Sequence, residues 1–191
     1  WYDEINIAFN KYGKEIWNNS DTKNFIVNAD KYSLLYGFKY PDNPDDGEYA
    51  NKVPMKSNFD NNILESHEQK RLNRHDIKEL PNGNFLILDN ILTWKHIPLG
   101  EWTENFQNLG YEANGETREI IWLHQDVVEL DSFGEEIWRW RFLDHFSAEE
   151  YDIYGGTWWQ TLQTGYYDWT HSNSIWFDSV NNVIYLSIRH L

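Results

Sequence analysis

The chain has 191 residues, with 16 Lys and Arg against 31 Asp and Glu, for a formal net charge of −15 with the histidines neutral. That balance leaves no basic stripe to displace phosphate counterions, which argues against nucleic acid as a partner, and no apolar run approaches the roughly 18 residues of a membrane span. An apolar share of 40% is modest, yet 11 Trp, 12 Tyr and 10 Phe need burial, so the chain is expected to fold.

The absence of cysteine excludes disulfides, thiolate metal sites and cysteine nucleophiles while leaving the compartment open. No metal site and no cofactor are expected. The chain opens on Trp1 without an initiator Met or signal peptide, and an apolar strand pattern runs into Leu191. It is therefore read as part of a longer polypeptide.

Helical periodicity is scarce. Short β-branched or aromatic runs flanked by Asn, Asp and Gly, such as Phe85 to Leu88, Val127 to Leu130 and Val183 to Leu186, predict strands and hairpins. Two internal repeats organise them. INIAFNKYGKEIW (Ile5 to Trp17) aligns with DVVELDSFGEEIW (Asp126 to Trp138), matching Asn10 with Asp131 and Gly13 with Gly134. Each predicts a strand, a tight turn opened by Asn or Asp with Gly at positive φ, and an antiparallel return strand. HDIKELPNGNFLIL (His75 to Leu88) aligns with HSNSIWFDSVNNVIYLS (His171 to Ser187), the second copy longer before its turn, and a histidine leads each. A weaker copy without the histidine spans Phe25 to Tyr36.

Antiparallel four-stranded units that alternate two hairpin types predict an all-β fold, read as a β-propeller of which about three blades are present, with a sandwich as the alternative. Blade material is expected at 1–40, 63–140 and 168–191, in one partial domain spanning 1–191, with long loops at 41–62, 94–118 and 142–168. Loops of that length tend to be functional or disordered.

His171 and Asn173 stand two apart at the head of one predicted strand, and Arg189 lies 18 residues after His171 at the end of the return strand. Residues two apart on a strand share a face and an antiparallel hairpin joins its ends, so the three are expected to converge. Trp158, Trp159, Tyr166, Tyr167 and Trp169 read either as an aromatic wall for a flat ligand or as packing, and the sequence leaves both open. In PDNPDDGE (Pro41 to Glu48) a Pro stands where a calcium loop needs an oxygen ligand, so the segment reads as a solvated acidic turn. His145 in LDHF reads either as a residue binding loop backbone or as one with a direct role, while His67, His96, His124 and His190 belong to no constellation.

The segment DWTHSNSIWFDSVNNVIYLSIRHL (Asp168 to Leu191) resembles the signature of the arylsulfotransferase family, the aryl-sulfate sulfotransferases that work without a nucleotide sulfate donor. HDIKELPNGN is similar to that family's earlier active-site histidine strand, and GEEIWRWRFLDHF (Gly134 to Phe146) to its strand ending in Trp-x-Trp and Asp-His. The resemblance implies a propeller of roughly six blades with a site at its central channel. It implies transfer of a sulfuryl group from an aryl sulfate to a histidine and on to a phenol, and a periplasmic or extracellular setting. His171, Asn173 and Arg189 would hold the sulfuryl oxygens and His75 would act as acid and base; apart from the resemblance, Tyr167 and Trp169 are the aromatic candidates to bind the substrate. Arg offers a planar fork of donors to a tetrahedral anion, and imidazole a proton-transfer group suited to neutral pH.

The family's sulfated histidine falls in a later blade, so the resemblance assigns none of these seven histidines that role. The 191 residues alone are therefore expected to be inactive, with the remaining blades supplied by the same or another chain. Two other functions compete. One is a non-catalytic propeller binding a glycan or a protein partner. The other is a propeller glycosidase, which would need two distinguished carboxylates, and no two of the 31 acids stand out.

Overall fold

The computed structural model describes residues 6–19, 23–26, 35–39, 53–57, 63–66, 72–147, 150 and 158–190, and their side chains at 7–18, 76–147, 150 and 158–190. The protein is built of several antiparallel sheets with few helices. Strands β1 (Asn6–Phe9) and β2 (Glu15–Asn19) form a hairpin, and β3 (Lys23–Ile26), β4 (Leu35–Lys39), β5 (Val53–Ser57) and β6 (Ile63–Ser66) form a four-stranded sheet in that order. Then β7 (Leu72–Glu79), β8 (Phe85–His96), β9 (Arg118–Leu130) and β10 (Glu136–Trp140) make the central antiparallel sheet. β12 (Ser172–Asp178) and β13 (Val183–Ile188) close the chain as a hairpin.

The first repeat is real down to individual bonds. Asn10 Oδ1 accepts from the N–H groups of Tyr12 and Lys14, and Asp131 Oδ1 from those of Phe133 and Glu135. Gly13 at φ 77° and Gly134 at φ 82° supply the left-handed position of each turn. The second repeat matches in strands but not in its turn. The β7–β8 turn uses Gly83, whereas β12–β13 turns through Asn182 at φ 54°, with Asp178 Oδ1 accepting from the N–H groups of Val180 and Asn181. The weak third copy coincides with the β3–β4 pair, though its residues 27–34 lie outside the described residues, as does the acidic turn Pro41 to Glu48.

Structure also appears inside the stretches expected as loops. β5 lies within 41–62, and β8 and β9 run past the apolar segments that announce them. The short helices α1 (Thr103–Asn108) and α2 (Trp158–Thr164) sit in the other two stretches. Each helix is too short for a periodic signature, and each is held by the aromatic residue it buries, Phe106 in α1 and Trp158 in α2. A strand in the last stretch, β11 (Tyr166–Asp168), pairs parallel with Ile121 to Leu123 of β9. It is a departure from wholly antiparallel sheets that the crossover through α2 permits.

β9 is buried continuously from Trp122 to Val128 because both of its faces are covered. On one side Leu86, Leu88 and Val127 pack with Leu80 and with Ile175 of β12. On the other, Ile77, Phe85, Ile87, Val128 and Leu130 form a second layer. The far half of β9 enters a cluster of rings in which Trp158 stacks on Tyr167 at 4.1 Å, while Trp122 meets Trp158, Tyr167 and Trp169 edge-on. At its near end Arg139 of β10 bridges the buried carboxylates of Asp126 at 2.9 Å and Asp89 at 2.7 Å, which keeps both charges paired inside the sheet.

The hairpin is tied to the central sheet by Asp76 of β7. One carboxylate oxygen accepts the Ile175 N–H at 2.8 Å and the other the Ile77 N–H at 3.0 Å, with Lys78 Nζ 3.2 Å away. Asp76→Ala strands the Ile175 N–H in the core and should cost about 1–3 kcal/mol, while Asp76→Asn, which keeps an acceptor, should lose less. Urea unfolding of the natural polypeptide that carries this chain, followed by Trp fluorescence, measures both.

Candidate functional site

The chain leaves β11, continues along β9 through Trp169 N–H to Leu123 O at 2.9 Å, and turns sharply at His171 into β12. His171 holds φ 44°, a left-handed conformation uncommon outside Gly, though His enters it more often than most residues, and costly by about 1–3 kcal/mol. Gln125 of β9, almost fully buried, is the device that maintains it. Its Oε1 accepts from Thr170 Oγ1 at 2.5 Å and from Ser172 N–H at 2.9 Å, gripping the residues on either side of His171, and its Nε2 donates to Asn90 Oδ1.

The two ends of the hairpin meet as expected. Ser172 pairs with Ile188, and the Arg189 N–H donates to Thr170 O at 3.2 Å. The same-face argument for His171 and Asn173 does not carry over unchanged. A bulge between Ser172 and Ser174 makes Asn173 the extra residue, and His171 lies outside the strand at positive φ. Bulges of this kind re-aim side chains and are frequent beside active sites. Among the described residues the Asn173 amide and the exposed Arg189 guanidinium have no hydrogen-bond or ion-pair partner.

His171 is engaged: its Nδ1 lies 2.6 Å from Asp168 Oδ2. His190, a residue with no constellation in the sequence, lies here too. Its Nδ1 donates to the main-chain carbonyl of Asp168 at 2.9 Å, and its ring centre is 5.2 Å from that of His171. Asp168 is quoted within the signature, but its partnership with two imidazoles depends on the αL turn and on the return of β13, which no local pattern announces.

His75 lies in β7 where the register breaks between Leu72 and Ile77, so each of the two expected histidines adjoins an irregularity. Its side chain is outside those described, and its neighbour Asp76 makes the tie to β12. Tyr167 and Trp169, expected to flank a flat substrate, are both fully buried in the ring cluster, and Trp169 Nε1 donates to Glu150 O. Packing is the role these two rings have here, because alternation along the β11 segment turns them into the core and leaves Asp168 between them at its edge. Trp159 alone of that aromatic group is exposed. His145 stacks on Trp140 at 4.7 Å, away from any acidic partner among the described residues.

Among the described residues no group of three or more His, Asp or Glu could hold a metal ion, and no helix is long and apolar enough to cross a membrane. An open apolar groove of about 260 Å³ between Val127, Trp138, Trp140, Ile184 and Leu186 offers no charged side chain.

The described residues form an all-β-like arrangement of mostly antiparallel sheets, with His171, Asn173, Arg189 and His190 at the base of one hairpin. A family model described as Arylsulfotransferase (ASST) matches residues 61–191, and the chain belongs to that family. No curated protein and no solved structure matches it. Membership brings aryl sulfotransfer, and hence aryl substrates, at the level of the family.

One further histidine adjoins the site from within. His124 is buried against Trp169 and Phe142, with Thr93 Oγ1 3.4 Å from Nε2 and Asp126 3.7 Å from Nδ1. Desolvation lowers its pKa below the ordinary 6.5, outweighing the attraction of Asp126. The unfolded chain therefore takes up a proton that the folded chain refuses, so stability is complete at higher pH and is lost as pH falls below 6.5. The fall in melting temperature between about pH 7.5 and about pH 5 should be smaller in His124→Gln than in the parent.

Proposed function

We propose that this chain forms the anion-binding part of an aryl sulfotransfer site, with His171, Asn173 and Arg189 holding the sulfuryl oxygens. The observation that carries the reading is Arg189, whose main chain closes onto Thr170 beside the His171 turn and whose guanidinium has no partner among the described residues, in an otherwise acidic chain. A guanidinium without a carboxylate partner can offer its planar fork to a tetrahedral anion. Asn173 adds neutral donors from the bulge.

In the reaction so read, the aryl O–S bond breaks as a S–N bond forms to a histidine, and His75 donates a proton to the departing phenolic oxygen. The acceptor phenol then gives its proton to His75 as its oxygen takes the sulfuryl group and the S–N bond breaks. The attacking histidine is assigned to none of the residues of this chain. The sheets are read as blades of a β-propeller. This is supported by a central sheet buried on both faces, one of them by the β12–β13 hairpin, and by the approach of β3 and β5 to β7.

Arg189→Lys keeps the charge and removes the fork. In the natural polypeptide, kcat/KM for a chromogenic aryl sulfate with a phenol acceptor should fall by at least about tenfold. Unchanged turnover would remove Arg189 from the clamp, and absence of turnover by the parent would favour a non-catalytic binding protein.

A further inference from the structure

Asp168 stands where costly features accumulate. Three residues on, His171 is held at φ 44°, and among the described residues the Oδ1 of Asp168 is buried without a hydrogen-bond partner. A strained backbone and an unsatisfied carboxylate oxygen are poor choices for a group that merely finishes a turn, and both are typical of functional sites. The residue is also rigidly mounted. It pairs with Leu123 of β9, and the buried rings of Tyr167 and Trp169 lock it on either side.

The hydrogen bonds of Asp168 leave little choice of tautomer. A carbonyl oxygen only accepts, so His190 must carry a proton on Nδ1 to make its 2.9 Å contact. An ionised carboxylate likewise only accepts, which places a proton on His171 Nδ1 at 2.6 Å. With Nδ1 protonated, Nε2 is a lone-pair nitrogen while the ring is neutral and an N–H donor, as holding a sulfuryl oxygen requires, once the ring takes up a second proton. The two rings lie 5.2 Å apart and tilted by 39°, as a pair of imidazoles mounted on one residue.

We infer that Asp168 is a positioning residue for aryl sulfotransfer: its side chain fixes the tautomer and orientation of His171, and its main-chain carbonyl does the same for His190. The inference rests on the proposed role of His171 for its catalytic consequence, but the tautomers themselves are independent of that role. Asp168 need not touch the substrate. Its effect passes through the ring it holds, as the buried carboxylate of a hydrolase triad acts through its histidine.

The experiment uses the natural polypeptide that carries this chain, labelled with 15N in the histidine rings and read by long-range 1H–15N correlation, with His171→Gln and His190→Gln spectra to assign the two rings. The parent should show both as Nδ1–H tautomers. Asp168→Asn keeps the size of the side chain but supplies a group that donates as readily as it accepts. His171 should lose its preference for Nδ1–H while His190, bound to the main chain, keeps it. In the same variant kcat for a chromogenic aryl sulfate should fall about 100-fold with KM changed less than about threefold, and Asp168→Glu should recover part of the loss. An Nε2–H tautomer at His171 in the parent overturns the inference without any variant having to fold. Parent-like tautomers and a kcat within about twofold in Asp168→Asn overturn it as well. A parent that shows the expected tautomers but no aryl-sulfate turnover leaves the positioning intact and overturns the sulfotransfer reading instead.

Discussion

The carboxamide of Gln125 is the constraint on which the histidine turn depends. It is one buried side chain of the central strand β9, and its single oxygen receives the donors on either side of His171. The left-handed well is costly for a residue with a Cβ, and the hydrogen bonds of Gln125 on either side of His171 hold its backbone at φ 44°. Gln125 is itself held by Asn90 on β8 and by the burial of β9 on both faces. The stiffness of the sheet is thus passed to the turn through one amide, and a turn so held can keep an imidazole in a fixed direction.

The core that supplies this stiffness is of two kinds. Around the far half of β9 it is aromatic, with Trp102, Phe106, Trp122, Phe142, Trp158, Tyr167 and Trp169 packed edge-on and face-on. Such rings bring large buried area with few rotatable bonds, which suits a chain whose aliphatic content is modest. At the near half two largely aliphatic layers adjoin an ion cluster, with Arg139 between Asp89 and Asp126. Asp126 also accepts the Phe142 N–H at 3.0 Å, so the ion cluster ends where the ring cluster begins. The two halves are one continuous support beneath the histidine turn.

Charge gives the site its contrast. The chain carries −15 overall, and acidic groups left loose near the hairpin would repel an anionic ester. Those described close to it are tied up: Asp168 with His171, Asp76 with Lys78 and main-chain donors, and Asp126 and Asp89 with Arg139. Arg189 is left uncommitted among the described residues. Membership in the arylsulfotransferase family gives that local arrangement a chemical context.

The sequence by itself determined the elements whose causes are local. The Asn10–Gly13 and Asp131–Gly134 turns follow from a side-chain acceptor and a glycine at fixed spacing, and the β12–β13 hairpin from two apolar runs around an Asn-rich turn. The family is legible in Asp168 to His190 for the same reason, because its signature is contiguous. What needed tertiary structure was whatever depends on partners far apart in the chain. Tyr167 and Trp169 read equally as a ligand wall or as core until β11 paired with β9 and buried them. His190 looked unremarkable until β13 returned it to Asp168, and Gln125 gave no local sign of its role because its two donors lie 45 and 47 residues away. α1 and α2 leave no periodic signal in the sequence because a helix of two turns is held by what it packs against rather than by its own periodicity.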